Sequence, residues 1–302
     1  MSDIKFQDMT SGSFAFLWPK AGQGYEWVNE NTHELDSNLV PQGNTPIETI
    51  PPWLLSRGKM LQQYPPLAEK TLHRKFATCR DRASVLKFAN RYGLLGLPLP
   101  LVPKGSGDIV LGESLGRWLT GSQELGIMLA IWDRVKDKEE GKLGQIIVWP
   151  TNDSVELKMK AKFDEKMNQW VLLPFGDGKS AMNETLAQHG KTQVQPELLE
   201  HWKPYSVIEP AKYYLCREVN KRLKGHVSPR VLPFLKDKIC FFPDTLLSAM
   251  WLMLFDEITG VLRLRTCDVC GEWKQVLTKR NTCYCSVRCQ MVAHRKRHSK
   301  KP

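Results

Sequence analysis

Apolar side chains recur at helical spacing over three parts of the chain and alternate with polar ones in a fourth. From Pro66 onward Leu67, Leu72 and Phe76, then Val85, Phe88, Ala89 and Tyr92, recur near helical spacing. Gly93 suits the left-handed position that closes such a helix. The stretch LLGLPLPLVPKGSGD that follows reads as loop, because proline and glycine interrupt every short apolar run in it. A longer helix is predicted from about Ser114 to Val135, with Leu115, Trp118, Leu119, Leu125, Met128, Ile131 and Val135 apolar; Gly121 and Gly126 weaken it locally. Over 144–174 the period drops to two. QIIVW, SVELKMK and QWVLLPF read as strands of a small antiparallel sheet.

Two more helices follow. Pro210 is placed to start one at its first position and Gly225 to end it. The other spans about Asp244 to Thr259. Its stripe of Leu246, Leu247, Met250, Trp251, Leu254 and Ile258 is widened by Met253 and Phe255, so it is apolar nearly all round and belongs at the centre of the molecule. Residues 1–66 carry no long helical period. They are rich in Gly, Pro, Asn and Trp, and Trp18, Tyr25, Trp27 and Trp53 are expected to pack this strand-and-loop segment onto the body. The predicted organisation is α+β: an N-terminal segment over 1–66, a mainly helical body with a small antiparallel sheet over 67–265, and a separate unit over 266–302.

Composition changes this picture at one end only. Of the formal net charge of +11, the residues from Cys267 onward supply +7, from nine Lys/Arg against two acids. A basic terminus on a nearly balanced body is an electrostatic footprint for a polyanion. The beginning MSDIKFQDMT has no charged-then-apolar leader architecture, and the longest apolar run, Leu94 to Val102, is too short and too broken to span a membrane. Cys79, Cys216 and Cys240 are scattered among apolar residues and read as buried thiols, which points to a reducing, cytoplasmic compartment.

The other five cysteines fall between Cys267 and Cys289. Cys267-Asp-Val-Cys270-Gly271 is a knuckle, a tight turn that aims two sulfurs at one point. Cys285 and Cys289, four apart, share one face if they lie on a helix, and Ser286 is placed to cap its start. A hairpin over Glu272 to Thr282 would join the two pairs. Knuckle, hairpin and helix is the layout of a treble-clef finger holding one structural zinc ion on Cys267, Cys270, Cys285 and Cys289. Four thiolates leave no open position for a reacting water. Cys283 competes with Cys285 for the third place; its spacing favours Cys285, leaving Cys283 a spare thiol. His294 and His298 are also four apart but lack a complete second ligand set. The predicted polyanion contacts are Lys274, Lys279, Arg280, Arg288, Arg295, Lys296, Arg297, Lys300 and Lys301, with Arg295 and Arg297 open to a base-reading role.

These residues carry a resemblance. CDVCG with YCSVRCQ resembles the treble-clef fingers of CGNR-type and MYND-type proteins. The segment Phe88-Ala-Asn-Arg-Tyr-Gly-Leu-Leu-Gly96 is similar to an FA-x-x-YG-x-LG stretch in bacterial proteins that end in a CGNR-like finger. The CGNR resemblance implies nucleic-acid binding, DNA ahead of RNA, and transcription regulation, with homodimerisation left open. The MYND resemblance implies a peptide platform. Gln290-Met291-Val292 stands where the literal CGNR string would continue, and the further cysteines of a full MYND finger are absent. A third class, a nuclease or toxin-like enzyme targeted by its finger, draws only on Glu156-x-Lys158. Glu156, Lys158 and Lys160 alternate with Val155, Leu157 and Met159 as the wet face of a strand would, so no catalytic residue is assigned.

Overall fold

The computed structural model describes residues 16–28, 53–56, 61–96, 101–104, 108–151, 154–174, 186–194, 196–202, 206–232, 238–276 and 282–298. In chain order these contain β1 (Trp18–Ala21), β2 (Tyr25–Val28), β3 (Trp53–Ser56), β4 (Leu61–Tyr64), a 3-10 turn (Pro66–Ala68), α1 (Leu72–Phe76) and α2 (Arg82–Tyr92). Next come β5 (Leu101–Lys104), β6 (Asp108–Ser114), α3 (Leu115–Lys136), α4 (Glu140–Leu143), β7 (Ile147–Thr151), β8 (Ser154–Asp164), β9 (Gln169–Pro174) and β10 (Leu186–Gln193). The remainder is α5 (Pro196–Leu199), α6 (Ile208–Leu223), β11 (Val227–Leu232), β12 (Lys238–Pro243), α7 (Leu246–Ile258), β13 (Leu264–Thr266), β14 (Trp273–Gln275) and α8 (Val287–His298).

All strand pairs among the described residues are antiparallel. They form two four-stranded sheets, one joining β2, β3, β6 and β5 and one joining β10, β8, β7 and β9, and three two-stranded ladders. The molecule is therefore a mixture of helices and small sheets, with more sheet than the expected mainly helical body. Two strands fall in and just after the stretch read as loop: Leu101–Lys104 pairs with Leu111–Asp108. Its short apolar pieces are too brief to show a period, and only the partner strand completes them. β10 and the β11–β12 hairpin likewise lay outside the predicted elements.

The long helices lie where the periodicity put them. α3 buries Trp118, Leu125, Ile127, Met128 and Ile131, and α7 buries Ala249 through Leu254. The Thr245 and Ser248 side chains cap the start of α7 reciprocally. Pro210 stands third in α6, not first; it is tolerated because the first turn of a helix leaves its N–H groups unpaired. Trp18 donates to Leu94 O at 2.8 Å, the Tyr25 amide to Asn90 Oδ1 at 2.7 Å and Trp27 to Arg82 O at 3.1 Å, so all three aromatic residues fasten the first strands to α2 and its end. The Trp53 side chain is outside the description. Cys79 and Cys240 are buried and Cys216 is half-buried. Among the described residues no helix is long and apolar enough to cross a membrane.

Gly126 explains one apparent weakness of α3. A Cβ there would stand 2.0 Å from Trp170 Cδ1, so the missing side chain is the seat of the Trp170 indole, which donates to Ala77 O at 3.1 Å. Gly126→Ala should lower stability by about 1–3 kcal/mol through overpacking, although alanine is the better helix former by ~1 kcal/mol. Gly116→Ala on the same helix meets nothing within 4 Å and should not lower it. Chemical denaturation of the two variants checks the contrast.

Candidate metal centre

The C-terminal unit is built on the core, not hung from it. α7 ends at Ile258; Leu262 and Leu264 are buried, and the Leu262 amide donates to Asp256 O at 2.8 Å. Burial pushes the Asp256 carboxyl up to about 6, with Lys70 opposing. β13 then pairs with β14, and the turn between them is the knuckle itself: Cys267 N donates to Glu272 O at 2.8 Å, Gly271 N to Cys267 O at 2.9 Å, and Gly271 takes φ +75°. Of the hairpin expected over 272–282, the strand the structure describes is β14 alone. The strand after the knuckle pairs backward to the strand before it, and residues 277–281 lie outside the description.

The second cysteine pair is brought in by two backbone contacts. Asp268 N donates to Cys283 O at 2.9 Å, and Cys283 N donates to Asp268 Oδ2 at 3.0 Å. Asp268 thus ties the strand before α8 to the knuckle, a role that spacing did not reveal. Ser286 accepts from Cys289 N at 3.3 Å, as an N-cap does. Helix α8 starts at Val287, so Cys285 precedes the helix and only Cys289 lies in its first turn. The pair still converges, with sulfurs 3.5 Å apart, because the capped entry folds Cys285 back over that turn.

The sulfurs of Cys267, Cys270, Cys285 and Cys289 lie within 4.8 Å of one another, close enough to hold one metal ion. Cys270 Sγ and Cys285 Sγ are 3.3 Å apart. Tetrahedral zinc with Zn–S bonds of ~2.3 Å would hold such sulfurs about 3.8 Å apart, so the set fits the ion with small shifts. The backbone N–H of Cys270, followed by those of Cys285 and Val269, holds the Cys267 thiol down to about 6, favouring the thiolate a metal needs. Cys283 is buried and stands outside this group, working through its backbone.

A buried charge cluster seats the unit on the body. Arg74 of α1 donates to Glu257 of α7 at 2.8 and 2.7 Å and to Asp133 of α3 at 3.0 and 2.9 Å. His73 Nε2 lies 2.5 Å from Glu257 Oε1, while its buried Nδ1 has no partner among the described residues. The neutral ring donating from Nε2 satisfies this geometry, since a proton on Nδ1 would face no acceptor. Burial holds the His73 pKa below its ordinary value accordingly. Burial alone would raise Glu257, but the Arg74 and His73 hydrogen bonds hold it down, to about 2. Over this cluster lies Trp273 of β14, its ring centroid 3.5 Å from the Arg74 guanidinium carbon and 5.2 Å from Lys136 Nζ. Beside it, a cleft of about 890 Å³ separates β14 and Cys270 from Trp170 and Asp133.

The predicted cationic residues fall into three groups. Arg288 and Arg295 are exposed on α8 and make no hydrogen bond or ion pair among the described residues; Lys296 is exposed beside them. Lys274 donates to Tyr284 O at 3.1 Å, and Arg297 reaches Tyr284 OH at 3.2 Å and Ala293 O at 3.4 Å. Lys279, Arg280, Lys300 and Lys301 are outside the description, as are the side chains of His298, Glu156, Lys158 and Lys160. Comparison with protein-family models, curated proteins and solved structures finds no match to this chain.

If the four clustered thiols are the ligands, Cys283→Ser should keep one zinc per chain and Cys285→Ser should lose it. Metal analysis of the two purified variants distinguishes this set from one that includes Cys283.

Proposed function

We propose that the chain is a zinc-stabilised nucleic-acid-binding protein that acts on DNA, most simply as a transcription regulator. The observation that carries the reading is α8, whose first turn holds a cysteine of the metal cluster and whose sequence has four Lys/Arg and no acid. Knuckle, strand and capped helix follow the order of a treble clef, in which one structural zinc ion on Cys267, Cys270, Cys285 and Cys289 fixes where the helix points. Zinc would supply a rigid cross-link and no hydrolytic chemistry, since four thiolates leave no open position. A metal-anchored cationic helix suits phosphate binding, because docking it costs little further ordering.

The test is duplex binding as a function of salt. If six phosphates are neutralised, log affinity should fall with log salt at a slope of about −5, from ~0.9 per phosphate. A salt-independent association, or none, would remove the reading.

A further inference from the structure

We propose that α8 reads base edges in the major groove of B-form DNA, with Arg288 and Arg295 as the base-contacting arginines and Met291 as the apolar contact between them. This rests on the nucleic-acid reading above and adds the face, the groove and the residues.

The exposed side chains of α8 divide by direction. Arg297 is exposed but hydrogen-bonded to Tyr284 OH and Ala293 O, so its guanidinium is held by the unit itself. Val287 and Met291, one turn apart, are 72% and 51% exposed, and Arg288 and Arg295 are exposed as well. At about 100° per residue these four fall in one arc of roughly 100°, whose centre lies about 150° around the helix from Cys289. The arc therefore points away from the metal cluster that holds the helix.

Two large apolar side chains held in water beside two exposed arginines are not what phosphate tracking requires. Base edges use both kinds of group: an arginine fork pairs with guanine O6 and N7, and an apolar side chain covers a thymine methyl. The dimensions agree. A helix about 10–12 Å across fills a major groove about 12 Å wide. Arg288 and Arg295 are seven residues apart, or about 10.5 Å of helical rise, close to three base-pair steps at ~3.4 Å. Charge complementarity favours the polyanion, for α8 has no acidic side chain to repel it. The deep, narrow major groove of A-form RNA would not admit the helix.

The experiment selects bound sequences from a random duplex library with the zinc-loaded full chain. It then compares wild type, Arg288→Ala, Arg295→Ala, Met291→Ala and Lys296→Ala on the selected duplex and a scrambled one at one salt concentration. Zinc content confirms that each variant keeps its finger. The expected motif has two G·C pairs about three steps apart with an A·T pair between them. Each arginine variant should lose roughly 5- to 150-fold on the selected duplex and far less on the scrambled one. Lys296→Ala should weaken both alike. Enrichment of no motif, or equal losses on both duplexes, would overturn base reading while leaving DNA binding intact. Absence of duplex binding, tighter binding to duplex RNA, or retention of an acidic peptide instead would overturn the DNA reading too.

Discussion

Glu257→Gln should destabilise the folded protein by about 3–5 kcal/mol, the expected cost of breaking a buried ion pair from one side. Glu257 accepts from Arg74 through both oxygens and from His73, and its side chain is 2% exposed. Glutamine keeps the shape but presents one acceptor and an amide that faces two donors. Arg74 would keep Asp133, so its charge is not wholly abandoned, but Asp133 is the more exposed partner at 28%. Urea titration of wild type and variant measures the difference, and a loss under ~1 kcal/mol would mean that the cluster does not hold the three helices together.

The same cluster sets an acid dependence whose sign follows from the two shifts. His73 is depressed below its ordinary 6.5 in the fold, so the unfolded chain takes up that proton first and stability declines as pH falls below 6.5. Glu257, lowered from 4.5 to about 2, contributes stability that is full above 4.5 and is lost as pH falls from there toward 2. These two contributions pull stability down below pH 6.5 and more steeply below 4.5, against the opposite contribution of Asp256, whose carboxyl, raised to about 6, stabilises the fold as pH falls from 6 to 3.8. In Glu257→Gln the steeper part should be shallower.

If the four cysteines hold zinc as proposed, removing it should do more to the C-terminal unit than any single side chain there. Structural zinc in small fingers contributes about 10–16 kcal/mol at neutral pH, and short units of this kind do not fold without it. Here β13 and β14 pair over only three residues each, and α8 is anchored through Ser286 and the cysteines. Chelation should melt that hairpin and lift Trp273 from Arg74, a cation–π contact worth up to ~2 kcal/mol when desolvated. Trp273→Phe, followed by tryptophan fluorescence with and without chelator, isolates the event: the red shift seen on chelating wild type should shrink in the variant. The body should keep its helical circular dichroism, because α3, α6 and α7 bury their stripes without the finger.

α3 and α7 were legible in the sequence because each is long enough for its apolar period to show, and α6 was legible through Pro210 and Gly225, which mark its two ends. The cysteine spacing was equally legible, including the preference for Cys285 over Cys283. β5 and β6 were not, since proline and glycine break their short apolar runs and only pairing completes them. Nor was the seat of the C-terminal unit. Glu257 stands in line with Met250 and Leu254 on the buried stripe of α7, and His73 and Arg74 sit between Leu72 and Phe76, so a charge at a core position was the available signal. What no local pattern could show is that these residues, Asp133 and Trp273 would meet, because their neighbours in space are distant in sequence. The same holds for the division of the α8 arginines. Tyr284, not the spacing within the helix, engages the exposed Arg297 that Arg288 and Arg295 otherwise resemble.

The central claim is that a metal on four cysteines aims a cationic helix at DNA. The direct measurement is duplex binding by fluorescence anisotropy, with zinc-loaded, chelated and zinc-restored protein, at several salt concentrations. The account predicts salt-dependent binding by the loaded chain, its loss on chelation and its recovery with zinc. Binding that is unchanged by chelation, or absent from the zinc-loaded chain at low salt, would contradict it.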